Sequence, residues 1–217
     1  MPAALRDKRG ELAALRTLVA EKFPQAAHAP SGRLSTGCGA LDRRGGLVRG
    51  ALTEVCGSAA GGQLVLCALL EAAVREGFFL ALIDAADAFE PADWPEDQLD
   101  RLLWVRCRET ATALKAADIL VRDGNLPVLL LDLQGVPARQ LQRIPANTWH
   151  RFHRVIESSA TVLLALTPRP QVEGAPCRIA VRLESPWEAM NAPRARLLET
   201  LDAQIFERGS EEIRLSA

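Results

Sequence analysis

Gly50-Ala51-Leu52-Thr53-Glu54-Val55-Cys56-Gly57-Ser58-Ala59-Ala60-Gly61-Gly62-Gln63-Leu64-Val65 decides the fold of this 217-residue chain. Ala51 to Cys56 predicts an apolar strand. A glycine-rich turn follows, and a helix is expected to start near Gly62. Strand, glycine turn and helix in that order are the setting of a phosphate-binding loop, whose pattern is Gly, four residues, Gly-Lys-Ser/Thr. The spacing is kept from Gly57 to Gly62. Gln63 stands where a lysine would neutralise the outer phosphates, and Leu64 where a hydroxyl would ligate Mg²⁺.

Downstream, runs of aliphatics alternate with helical periodicity. Strands are expected over 78–84, 102–107, 127–132 and 161–167, and helices over 63–75, 111–122 and 147–158. Unbroken aliphatic strands separated by helices predict an α/β fold with a mostly parallel central sheet covered on both faces, a three-layer α-β-α sandwich. Such sheets bind ligands at the carboxyl ends of their strands, so Gly57, Asp84 and Asp132 should converge. Past Pro168 the pattern changes. Residues 178–184 alternate as a half-exposed strand does, 194–201 read as helix or strand, and 204–207 with 212–215 suggest an antiparallel hairpin. Ahead of the core, Leu5, Leu12, Leu15 and Val19 recur at helical spacing and predict an amphipathic helix over 3–22, either packed on its own domain or docking on another protein. Three regions result: helix and linker (1–32), an α/β core (33–184) and a C-terminal extension (185–217).

Composition excludes some classes. A formal net charge of −1 gives no global field toward DNA or an anionic membrane. The five cysteines are scattered, mostly in apolar runs, which argues for reduced thiols rather than disulfides or a metal site. No apolar run reaches the ~18 residues of a membrane span and no signal peptide is visible, so a cytoplasmic protein is expected.

Leu34-Ser35-Thr36-Gly37, Leu41-Asp42, Gly45-Gly46-Leu47, Gly50, Glu54-Val55 and Gly57, followed by Arg75-Glu76-Gly77 and Ile83-Asp84-Ala85, resemble in this order the core of the RecA recombinase family over roughly residues 33–184. The resemblance implies a RecA-like fold. It also assigns a role to each position. The phosphate-loop lysine and threonine fall on Gln63 and Leu64, and the catalytic glutamate on Ala86. The Walker B aspartate is kept as Asp132. The sensor glutamine falls on or next to Pro168, and the DNA-binding loop after it is cut to about ten residues. Losing the lysine, the hydroxyl and the water-orienting glutamate together implies that ATP turnover is gone, with no catalytic residue and no cofactor. The loop, Gly57, Ser58, Ala59, Ala60, Gly61, Gly62, Gln63 and Leu64, is then taken to persist for strand-to-helix packing. Weak anion or nucleotide binding by its amides stays open. Asp84 and Asp132 are read as strand-end acids capping the next turn, not as a metal site.

Two surface stretches stand out. Between Asp132 and Glu157 there is no acid, while Arg139, Arg143, Trp149, His150, Arg151, His153 and Arg154 make a candidate contact for a protein partner or, weakly, for DNA. The alternative is an arginine-rich outer helix face with Trp149 in the core. Conversely, residues 84–100 hold seven acids and no Lys or Arg, with Trp94 among them as a candidate exposed docking residue; the alternative, and the usual case, is a solvated connection.

A small RecA-like chain with an erased ATPase site is most similar to the ImuA family of damage-inducible accessory proteins. That resemblance implies a non-catalytic adaptor in the SOS response, supporting error-prone translesion synthesis by binding RecA and a Y-family polymerase homologue. Two alternatives are a SulA-like cell-division inhibitor that binds the division tubulin, and an ATPase with an unusual site.

Overall fold

The structure is a computed structural model that describes residues 32–43, 45–183 and 192–207. The expected helix 3–22, with Leu5, Leu12, Leu15 and Val19, lies outside the described residues, as does the 212–215 half of the expected hairpin.

A short antiparallel pair, β1 (Arg33–Leu34) and β2 (Leu47–Val48), flanks α1 (Gly39–Asp42). The Asp42 carboxylate accepts hydrogen bonds from the backbone amides of Thr36 and Gly37 and the hydroxyls of Ser35 and Thr36, which closes this turn before the sheet begins. Then come β3 (Ala51–Gly57), α2 (Ala59–Glu76), β4 (Leu80–Asp84), α3 (Glu96–Leu99), β5 (Leu102–Arg106), α4 (Thr110–Asp123) and β6 (Val128–Asp132). The chain continues through α5 (Ala138–Leu141), α6 (Ala146–Ile156), β7 (Val162–Thr167), β8 (Cys177–Leu183), α7 (Arg194–Glu199) and β9 (Leu201–Glu207).

The main sheet has seven strands in the order β5-β4-β6-β7-β3-β8-β9. All neighbours are parallel except β8 and β9. Alternation sorts the side chains to two apolar layers. On β4, Leu80 and Leu82 join α2 on one face, while Ala81 and Ile83 join α4 and α6 on the other. Leu66, Leu69 and Leu70 of α2 are almost wholly buried, each contributing about 1.5–3 kcal/mol by leaving water. α2 ends at Gly77, whose left-handed backbone (φ 74°) returns its N–H to Ala73 O.

Two expectations change. Residues 201–207 form β9, which pairs with β8 (Ile179 opposite Ile205) and joins the core sheet, although the sequence places it in an extension. Leu197 and Leu198 of α7 pack on the α2 layer, so this part of the chain belongs to the same core. α2 also begins at Ala59, one turn before the predicted start near Gly62.

The chain leaves β3 toward the β4 side of the sheet and leaves β7 toward β8. Such a reversal opens a crevice at the carboxyl ends of the two strands, and the glycine loop lies there.

Candidate functional site

The loop is closed by its own residues. Ser58 caps α2, its Oγ accepting from Gly61 N at 3.2 Å, while Gly62 N donates to Ser58 O at 3.1 Å. Two of the amides that a phosphate would use are thereby taken, and those of Ala59 and Ala60 are left at the helix start. Gly57 meets β8 from the side: a Cβ there would lie 2.3 Å from Val181 O.

The decisive side chain is one that the motif did not single out. Gln134, two residues past β6, reaches over the loop and donates from Nε2 to Ser58 O (3.0 Å) and Gly57 O (3.3 Å). Its Oε1 is buried against Gly62, where a Cβ would come within 2.0 Å of it. Gly62 is therefore required by the glutamine above it. Gln63 is half-buried. Leu64, in the hydroxyl position, is packed in the core at 4% exposure and faces away from any ligand.

Gly57, Asp84 and Asp132 do lie at one edge of the sheet, with Asp84 opposite Asp132 in register. Asp84 is committed to its own turn. Its carboxylate accepts from the amides of Ala86, Ala88 and Phe89 (3.2, 3.1 and 2.9 Å) and from Trp104 Nε1 (3.4 Å). Asp132 accepts from Gln134 N at 2.9 Å. Burial pushes its carboxyl up to about 6; the Gln134 amide opposes the shift and the neighbouring Asp84 adds to it. Among the described residues no group of three or more His, Cys, Asp or Glu could hold a metal ion. Ala86 is exposed and faces Gly135, where an added Cβ would lie 2.7 Å from the Ala86 methyl.

A second buried centre was missed from sequence. Glu54, in mid-β3 and 0% exposed, accepts from Thr167 Oγ1, from the amides of Gln171 and Val172, and from Arg178 Nε. One carboxylate thus fixes the end of β7, the segment after it and the start of β8. A lone acid inside an apolar strand was the available signal, because such a residue is buried only when paired.

The basic stretch divides. Arg139, Arg143, His150, Arg151 and Arg154 are exposed. Trp149 and Phe152 are not available for stacking: they are 2% and 0% exposed, in edge-to-face contact under α6. The amphipathic period of α6 turns them inward, so Trp149 is withdrawn as a contact residue. Arg151 pairs with Asp118 of α4, and His153 Nδ1 lies 3.3 Å from Glu157.

Trp94 is likewise not an exposed docking residue. It is 7% exposed, against Phe89, with the Arg194 guanidinium over its ring at 4.3 Å. Of the acids around it, Asp87 has cations from elsewhere: Arg106 and Arg108 both reach it, and Arg106 holds its carboxyl below the usual carboxylate range. The thiols of Cys38, Cys56, Cys67 and Cys107 are buried, and burial pushes those of Cys56 and Cys67 up to about 11 and about 12.

With this geometry in hand, the RadB recombinase is a structural neighbour. It superposes with a TM-score of 0.56 at 16% identity, over 70% of this chain and 85% of that one. The fold is RecA-like. In sequence, the chain is 34% identical over 105 residues to RecA of Chlorobium chlorochromatii and 36% identical over 106 residues to RecA of Chlorobaculum tepidum. Each match covers 46% of this chain and 30% of the relative, so the chain spans under a third of the curated proteins it matches. No protein-family model matches the chain. No helix among the described residues is long and apolar enough to cross a membrane.

Proposed function

We propose that this RecA-like chain is a non-catalytic adaptor of the SOS response. It binds RecA and a Y-family polymerase homologue in support of error-prone translesion synthesis, as the likeness to the ImuA family implies. The observation that carries the reading is the closed loop. With Gln134 latched over Gly57 and Ser58, and Leu64 turned into the core, the site lacks both the seat and the side chains for Mg·ATP. A RecA-like body that keeps its sheet and gives up its nucleotide is suited to offer surfaces. Anion binding at the loop would be confined to the amides of Ala59 and Ala60 and correspondingly weak.

The division-inhibitor reading gains from one observation. Burial of Trp149 and Phe152 removes stacking from the basic face, so the feature that favours work beside DNA is reduced to its arginines.

The deciding experiment is capture of the tagged chain from its own cells after DNA damage. Recovery of RecA with a Y-family polymerase homologue is expected. Recovery of the division tubulin without those two would overturn the adaptor reading.

A further inference from the structure

A groove of about 620 Å³ opens at the amino ends of β4 and β5. Val74 of α2, Phe79 ahead of β4, Leu99 of α3 and Leu102 at the start of β5 form its apolar lining, and the described residues leave all four half-buried. Asp97 and Asp100 line it as well, while the Arg101 guanidinium is drawn over the Phe79 ring at 4.9 Å. Among the described residues, Asp87 is the one acid of the stretch 84–100 in an ion pair. Asp93, Glu96, Asp97 and Asp100 are exposed and keep their charge unmatched. The groove is therefore an apolar floor with an anionic rim.

Residues 1–31 carry the matching chemistry. Leu5, Leu12 and Val19 recur every seven residues, which keeps them on one face of the helix expected over 3–22. Leu15, three residues after Leu12, shares that face, and Phe23, four after Val19, extends it. The cations are sorted to the same side. Lys8 and Lys22 follow Leu5 and Val19 by three residues, and Arg9 and Arg16 follow Leu5 and Leu12 by four. Asp7 and Glu21 follow Leu5 and Val19 by two, about 200° round the helix and so on the opposite face. Glu11 falls at the border. A face that is both apolar and basic fits a floor that is apolar with acids around it, and is repelled by the arginines of α5 and α6.

The tether reaches. Arg49 N donates to Gly32 O and Gly50 N to Thr161 O, so residue 32 stands by the amino ends of β3 and β7, at the same end of the sheet as the groove. β5 lies four strands from β3 in the sheet order, about 19 Å at about 4.8 Å per strand. Residues 24–31 extend to at most about 28 Å.

We propose that residues 3–22 dock as a helix along this groove of their own chain, with the aliphatic stripe on Val74, Phe79, Leu99 and Leu102 and the cations of the same face on Asp97 and Asp100. While docked, the arm withholds its apolar face from other proteins, so a partner that takes the arm must first displace it from the groove. The contact stands apart from the adaptor reading and does not rest on it.

The test is hydrogen exchange of the full chain, read by mass spectrometry at low and high protein concentration, with sedimentation velocity for the mass. The amides of 3–22 and 97–102 are expected to be protected in a monomer, equally at both concentrations. Arg9→Glu/Arg16→Glu and Asp97→Lys/Asp100→Lys, each pair alone, should speed exchange over 3–22 about tenfold. The four substitutions together restore the complementarity and should recover slow exchange. The first pair lies ahead of the core and the second is exposed, so folding, checked by circular dichroism, should be unchanged. Exchange over 3–22 at the rate of an unstructured peptide overturns the proposal. So does protection that grows with concentration alongside a dimer, which would place the arm on a second copy, and so does protection indifferent to the Asp97 and Asp100 reversals, which would place it elsewhere on the chain.

Discussion

Arg178 Nε donates to Glu54 Oε2 at 2.6 Å, joining a carboxylate with no solvent exposure to a guanidinium that is 31% exposed. The pair bridges neighbouring parallel strands, Glu54 opposite Arg178 in register. Glu54 also holds the amides of Gln171 and Val172, so the short segment between β7 and β8 is anchored by the same charge. Removing the cation alone strands a buried anion, which typically costs about 3–5 kcal/mol. Arg178→Met should lower unfolding stability by that order. Glu54→Gln/Arg178→Met should be less destabilised than the single variant, because no charge is left unpaired. Urea titrations of both variants check this, and equal losses would show that the packing of Arg178 matters more than its charge.

The contact of Gln134 with Gly62 makes a second expectation. A methyl at Gly62 would come within 2.0 Å of Gln134 Oε1, so Gly62→Ala must displace the glutamine, at a cost of about 1–3 kcal/mol. Gln134→Ala alone gives up its bonds to Gly57 O and Ser58 O, about 1 kcal/mol each. The double variant relieves the clash, so its loss should be smaller than the sum of the two. A double-mutant cycle measured by thermal or chemical unfolding reads the coupling, and strict additivity would separate the two residues.

The sheet was legible because its strands announce themselves. Leu80 to Asp84, Val128 to Asp132 and Val162 to Thr167 are aliphatic on both faces, as only doubly covered parallel strands are. The glycine loop was legible because its spacing from Gly57 to Gly62 joins β3 to α2. Gln134 was not, because its role comes from a contact between segments 76 residues apart that no local pattern encodes. Trp149, open in sequence between contact and core, and Trp94, a candidate contact there, are both core residues for a related reason. A tryptophan among acids or arginines looks exposed in sequence, yet its ring is turned inward onto Phe89 or Phe152. The partner of β9 was equally invisible, because antiparallel pairing with β8 is set by register and not by proximity in the chain.

The Asp132 carboxyl carries a pH signature. Its folded value is raised from 3.8 to about 6, first of all by burial. The folded state then holds the proton more tightly than the unfolded chain does. The resulting stabilisation is complete below about pH 4 and is lost as pH rises through about 6, at a total of about 3 kcal/mol. Asp132→Asn keeps an oxygen for the Gln134 amide and removes the titration. Relative to the parent chain, the variant should therefore gain stability between pH 4 and pH 7. Chemical unfolding of both proteins at the two pH values measures that gain, and a difference independent of pH would place the titration elsewhere.

Nucleotide chemistry should not return on restoring the two signature side chains. Gln63→Lys/Leu64→Thr supplies the lysine and the hydroxyl, but Gln134 still lies over Gly57 and Ser58, and Ala86 still offers no base to orient water. Leu64 is also a core residue at 4% exposure, so the threonine brings a hydroxyl into an apolar layer and should cost about 1–3 kcal/mol. The expected outcome is a less stable protein with no measurable ATP hydrolysis and no Mg·ATP binding by calorimetry at millimolar nucleotide. Adding Gln134→Ala opens the space above the loop, and any recovered binding should appear only in that triple variant. Tight Mg·ATP binding by the parent chain would instead revive the reading of an ATPase with an unusual site, since it would require the loop to open around the nucleotide and Gln134 to leave Ser58.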